Sequence, residues 1–127
     1  MDLNYINLTD NTGAPFSDLV SVNDKMLFLS GLISEDFSTG DVLHGTVAEE
    51  TRQIFKNLKW ILESVGSDLD HVVRVEVLLS DFAERDEMNE EYMTHFQPDH
   101  MPARLCYGGV DLAEGCKIEI QVTAVKK

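Results

Sequence analysis

The sequence predicts an α+β fold, a single domain over residues 1–127 with a mixed sheet and two helices on one face, and three observations carry that prediction. A chain of 127 residues with 43% hydrophobic content is enough for one core and leaves no room for a second. Two segments repeat apolar residues at helical spacing, and five others are short and apolar or alternate in the manner of strands. The order is strand, strand, helix, strand, helix, strand, strand, without a repeat, linker or low-complexity segment. Two helices cover one face of such a sheet, so the opposite face needs another cover wherever it is apolar, and self-association is expected.

Each element has a local reason. Leu3 to Leu8 is an extended start, and TDNTGAP after it is a loop with turn chemistry from Asn11, Gly13 and Pro15. MLFLSGLI, Met26 to Ile33, is too short an apolar run for a helix and reads as a strand. Gly31 within it suggests a bulge or a backbone that something approaches closely. EDFSTGD is a turn with Gly40 in the left-handed position.

From Thr46 to Val65 the period becomes helical, with Val47, Ile54, Leu58, Ile61, Leu62 and Val65 on one stripe. Thr46 and Glu49 match a capping box, and Gly66 fits the residue just past the end. HVVRVEVLLSD then reads as a strand with Val73, Val75, Val77 and Leu79 on one face. Glu84 to Phe96 is a second helix with Met88, Tyr92 and Phe96 as its stripe, closed before Pro98. Arg104 to Gly108 and Lys117 to Val125 are the closing strands.

Charge and composition exclude several function classes. Twenty-three acidic residues against ten basic ones give a net charge of −13, which repels polyphosphate backbones and anionic headgroups, so neither nucleic acid nor membrane is an expected partner. No secretory signal or apolar run of membrane-spanning length is visible, and a cytoplasmic protein is expected. Cys106 and Cys116 fall short of a disulfide framework or a zinc site, and His95 and His100 around Pro98 lack a third ligand. No metal or organic cofactor is expected.

Arg104 is the residue that asks for an explanation, because it is boxed in by Pro102, Ala103, Leu105 and Cys106 while the other three arginines lie in polar surroundings. Strand alternation puts Arg104 and Cys106 on one face of their strand, and Glu119, Gln121 and Thr123 on one face of the last strand. If these two strands pair, Arg104 and Glu119 can meet. Spacing alone leaves an ordinary structural ion pair and a functional pair both open.

SGLIS, the helix running into ESVGSDLDHVVRVEVLLSDF, MNEEYMTHF, PARLC and KIEIQVTAV together resemble the Rid, or YjgF, family of enamine/imine deaminases, in order from Pro15 to Lys126. The resemblance implies a chorismate-mutase-like fold assembled as a homotrimer, with active sites in clefts between subunits. It implies hydrolysis of small 2-imino acids to 2-keto acids and ammonia. On this resemblance Arg104 holds the substrate carboxylate, a role suited to a bidentate guanidinium fork, and Glu119 positions or activates water. Cys106 contacts substrate through its backbone, Asn89 lines the cleft, and the backbone of Gly31 closes one wall. Phe16 stands where many of these deaminases have a tyrosine, so a hydroxyl is lost while an apolar wall remains, and Gln121 replaces an acid found in some. Two other readings stand beside the deaminase: a small-carboxylate-binding or chaperone-like module without turnover, and the ribonuclease label attached to some relatives.

Overall fold

The computed structural model describes Met1–Lys127. Its six strands are β1 (Leu3–Ile6), β2 (Leu19–Val22), β3 (Met26–Leu29), β4 (Val72–Leu79), β5 (Ala103–Tyr107) and β6 (Ile118–Val125). They form one sheet in the order β1-β2-β3-β6-β4-β5, with β4 and β5 parallel and every other pair antiparallel. Helices α1 (Val47–Ser64) and α2 (Arg85–Met93) share one core with the sheet. This is the α+β mixed sheet with two helices that the periodicities predict.

α1 forms where expected and for the expected reason. Thr46 Oγ1 accepts from the Glu49 amide at 3.1 Å, and the Glu49 carboxylate accepts from the Thr46 amide at 2.8 Å, satisfying two amides that the first turn leaves free. Its apolar stripe, led by Ile54, Phe55, Leu58 and Leu62, meets Val75, Val77 and Leu79 of β4 and Ile118, Ile120 and Val122 of β6 in a continuous core. Glu50 is the exception on that buried face. Its carboxylate is fully enclosed and accepts from the Lys117 amide at 2.8 Å, which ties the helix to the residue entering β6. A buried acid is tolerated here because hydrogen bonds replace its lost water.

Four features differ from the sequence reading. β2 is an additional strand, giving six rather than five. Its four residues place Leu19 and Ser21 toward the core, and the buried Ser21 breaks the apolar alternation that reveals a strand. The expected strand Met26–Ile33 ends at Leu29, and the chain rejoins the sheet only through Leu32, which exchanges backbone hydrogen bonds with Ile120 at 2.7 and 3.0 Å. The second helix opens as a 3-10 turn over Phe82–Glu84 before becoming α-helical, although Met88, Tyr92 and Phe96 are buried as the stripe requires.

The fourth difference is a bulge. Val72 pairs with Ala124 and Arg74 with Thr123, so two steps of β4 face one step of β6. The extra residue reverses the alternation, leaving Val72 buried and Val73 exposed before Val75, Val77 and Leu79 resume the core side. The uniform face expected for Val73 to Leu79 therefore holds only from Val75 onward.

Candidate active site

The strands bearing Arg104 and Glu119 are not neighbours. β4 lies between them, with Val75 beside Arg104 and Leu78 beside Glu119. Val75 points into the helix-covered core and Leu78 to the open face, so Arg104 and Glu119 project from opposite faces of the sheet. The pairing that would have brought them together does not occur, and no ion pair joins them. A structural ion pair within the chain is ruled out.

Arg104 instead meets α2. Its Nη1 donates to Asn89 Oδ1 at 2.7 Å, and its guanidinium carbon lies 4.8 Å from the centre of the Tyr92 ring. Asn89 and Tyr92 are three residues apart, the spacing that puts two side chains on one helical face. Phe55 and Phe96 hold the Tyr92 ring in turn, with centroids at 5.6 and 5.2 Å. Arg52 and Arg74 have carboxylates at 2.7 and 3.2 Å, whereas Arg85, exposed over the Phe82 ring, and Arg104, half-buried with an amide oxygen and an aromatic face, have no acid within 4.0 Å. This half-buried Arg104 guanidinium on a strongly acidic protein therefore has N–H groups with no carboxylate partner within the chain.

Burial pushes the Tyr92 phenol up to about 12, against the opposing pull of the nearby Arg104 charge. The hydroxyl lies beside the Arg104 guanidinium, without hydrogen-bond geometry to it or to any other group. Cys106 lies on the same strand face as Arg104, half-buried and packed against the core. Arg104, Cys106 and Asn89 are thus gathered around Tyr92, a residue that the sequence presents only as part of a core stripe. Its spacing from Asn89 was the available signal.

Glu119 meets a second expected residue, Gly31. A Cβ added at Gly31 would overlap Glu119 Oε2 and lie 3.1 Å from its Cδ, so the carboxylate rests directly against the bare backbone of that glycine. The close approach anticipated for Gly31 is therefore made by Glu119. The segment before Gly31 is tied to the Phe16 loop: the Ser30 amide donates to Asp18 O at 3.0 Å and Ser30 Oγ to Ser17 O at 2.6 Å. The Asp18 carboxylate pins the loop from the other side by accepting from the Leu8 and Thr9 amides at 2.7 and 2.8 Å. Phe16 emerges from this clamp 57% exposed, too open for a core role. Gln121 Nε2 donates to Leu29 O at 3.1 Å, closing the adjoining strand end.

Five of the six expected residues thus fall into two groups, Arg104, Cys106 and Asn89 in one and Glu119 and Gly31 in the other, while Phe16 sits on the loop hydrogen-bonded to Ser30, next to Gly31. The open face between the sheet edges carries exposed Tyr5, Phe28, Leu105 and Tyr107, and β5, which bears Arg104, is an edge strand. A hollow of about 190 Å³ on that face is lined by Phe28, Arg74, Glu76 and Gln121 among others, and by neither Arg104 nor Glu119. His95 and His100 are held by Glu91 and by Asp70 and Asp99, and no three His, Cys, Asp or Glu side chains converge as metal ligands would. No helix is long and apolar enough to cross a membrane.

Comparison with known proteins agrees with the resemblance over almost the whole chain. Residues 9–126 match the family described as endoribonuclease L-PSP. A 2-iminobutanoate/2-iminopropanoate deaminase from Mus musculus is 39% identical over 112 residues, covering 88% of this chain and 82% of its own. The protein of the same name from Homo sapiens is 38% identical over 112 residues, covering 88% of this chain and 80% of its own. Among solved structures, yeast Mmf1 superposes with a TM-score of 0.88 at 32% identity, covering 99% of this chain and 100% of that one. The Rid protein YyfA from Yersinia pestis superposes with a TM-score of 0.90 at 25% identity, covering 98% and 99%. With the family match spanning both residue groups and the fold shared end to end, this chain belongs to the endoribonuclease L-PSP family, the Rid or YjgF proteins.

Proposed function

We propose that the protein is a hydrolytic deaminase of small 2-imino acids, and that each active site takes Arg104 from one subunit and Glu119 from another within a homotrimer of the chorismate-mutase-like kind. The observation that carries this reading is the acid-free Arg104, held by Asn89 and Tyr92 with donors to spare. A 2-imino acid offers the carboxylate that such a fork binds through two hydrogen bonds. The names of the mouse and human relatives support the same substrate class.

In the proposed reaction the carboxylate binds Arg104, which orients the C=N bond. Water adds to the carbon of the protonated imine while Glu119 takes one of its protons, forming a neutral carbinolamine. Collapse of the carbinolamine forms the keto C=O bond and breaks the C–N bond, with Glu119 returning its proton to the departing nitrogen and then taking up the hydroxyl proton, so that ammonia leaves. Cys106 lends its backbone to the substrate, Gly31 and Asn89 line the cleft, and the Phe16 ring bounds the substrate side chain without a hydroxyl to contribute. These steps move only water and protons, and no cofactor takes part in them.

The two opposed residue groups support self-association: if Arg104 and Glu119 act on one small molecule, their placement on opposite faces of a sheet calls for a second chain to bring them together. The exposed Leu105 and Tyr107 of β5 and Phe28 of β3 offer the apolar surface for it. Light scattering at micromolar concentration should give three times the 14.3 kDa chain mass, and a monomer would end the shared-site reading. A ribonuclease is the poorer reading despite the family's description, since a net charge of −13 repels an RNA backbone. The deciding experiment generates 2-iminopropanoate or 2-iminobutanoate in situ with an amino-acid oxidase and follows its decay. Faster decay with the protein is expected. An unchanged lifetime together with tight 2-ketobutyrate binding would instead establish a non-catalytic carboxylate-binding module.

A further inference from the structure

The aromatic ring of Tyr92 lies beneath the one guanidinium on which the proposed function depends. Burial distinguishes this contact from the exposed Arg85–Phe82 pair. Arg104 has no acid to fix its direction, and a flexible arginine held by one hydrogen bond would spend much of its time in other rotamers. Tyr92 is 3% exposed, and its ring is wedged by Phe55 and Phe96, so the platform under Arg104 is rigid.

We infer that Tyr92 is a positioning residue: its ring face holds the Arg104 guanidinium by cation–π attraction, while Asn89 fixes the rotation of the fork, leaving the remaining N–H groups presented to a carboxylate. A rigid quadrupole attracts the cation without neutralising it. A carboxylate in the same place would pair with Arg104 and compete with the ligand for its donors. An aromatic platform therefore orients the arginine and preserves its charge for substrate. This inference rests on the carboxylate-binding role of Arg104 proposed above and adds the group through which that role is prepared.

The test reads the contact and its consequence separately. In the unmodified protein, NMR should show the Arg104 side-chain protons shifted upfield by the Tyr92 ring current, with cross-peaks between the two side chains. Their absence would overturn the inference without recourse to any variant. Calorimetry with 2-ketobutyrate then compares Tyr92→Phe, which keeps the ring, with Tyr92→Leu, which removes it. Tyr92→Phe should retain both the upfield shift and an affinity within about threefold of the parent. Tyr92→Leu should lose the shift and bind roughly 5- to 30-fold more weakly, with KM rising in parallel and kcat little changed, because an anchor set in advance serves ground state and transition state alike. Equal affinity of a folded Tyr92→Leu protein and the parent would overturn the role of Tyr92. Failure of the parent itself to bind 2-ketobutyrate would overturn the function proposed for Arg104 and with it this role.

Discussion

Arg104 and Glu119 stand on opposite faces of one sheet, separated by strand β4, with Val75 beside the first and Leu78 beside the second. That relationship turns a question about one pair of side chains into a question about two chains. A mixture of Arg104→Ala and Glu119→Gln subunits, each inactive alone, should regain activity once unfolded and reassembled together. If each site draws one residue from each of two subunits, random assembly restores about a quarter of the sites. The assay is imine turnover before and after mixing. No recovery would mean that each site is built within one chain.

Arg104→Ala removes the carboxylate anchor. Loss of a charge-assisted, bidentate contact in a partly desolvated cleft should cost about 2–4 kcal/mol of transition-state stabilisation, or roughly 30- to 1000-fold in kcat/KM. Binding of 2-ketobutyrate should disappear with it. Because Arg104 holds no acid within the chain, thermal stability should change little. Intact ligand binding in this well-folded variant would end the deaminase assignment.

Glu119→Gln should separate binding from chemistry. The amide keeps the shape of the carboxylate against Gly31 but cannot take a proton from water. Turnover should fall by about a hundredfold or more while 2-ketobutyrate affinity stays near the parent's, as measured by stopped-flow decay of the imine and by calorimetry. Undiminished turnover would remove Glu119 from the reaction.

Gly31→Ala should inactivate the enzyme with little loss of stability. The added methyl overlaps Glu119 Oε2, the free end of a flexible side chain, so the carboxylate can swing aside while the backbone stays in place. Gly31 is not among the residues with positive φ, so alanine is not strained there by its backbone. We expect a melting temperature within a few degrees of the parent and a large fall in kcat. A melt lowered as steeply as activity would show that the glycine serves folding instead.

Tyr92 makes stability depend on pH at the alkaline end. Its phenol is raised from the ordinary value near 10.0 to about 12 by burial, so the unfolded chain loses this proton first as pH rises. The stabilisation is complete below about pH 10 and is lost on approaching pH 12, a change of about 2–3 kcal/mol for two pKa units. Urea unfolding at pH 9 and pH 11.5 should show a steeper loss in the parent than in Tyr92→Phe. Parallel losses would mean that the hydroxyl is more accessible than its burial indicates.

Much of this molecule is legible from local pattern. The capping box of Thr46 and Glu49, the stripe from Val47 to Leu62, and the alternation of Ile118, Ile120, Val122 and Ala124 each repeat at the period of the backbone that carries them, so a short window of residues is enough to read them. The same holds for the exceptional setting of Arg104 and for the bare backbone at Gly31, whose residue types are conspicuous in the chain itself. Which strand lies beside which is a different kind of information. Placing β4 between β5 and β6 is decided by how α1 and α2 cover the sheet, a balance of long-range packing to which no single segment holds the answer. A single extra residue at the Val72–Arg74 bulge reverses a whole strand face, and the buried Ser21 conceals β2, because burial is a property of the finished core and not of the residue type. The local sequence determined which side chains could do chemistry. Only the tertiary structure decided that Arg104 faces Tyr92 and Glu119 faces Gly31, since the strand that separates them belongs to neither.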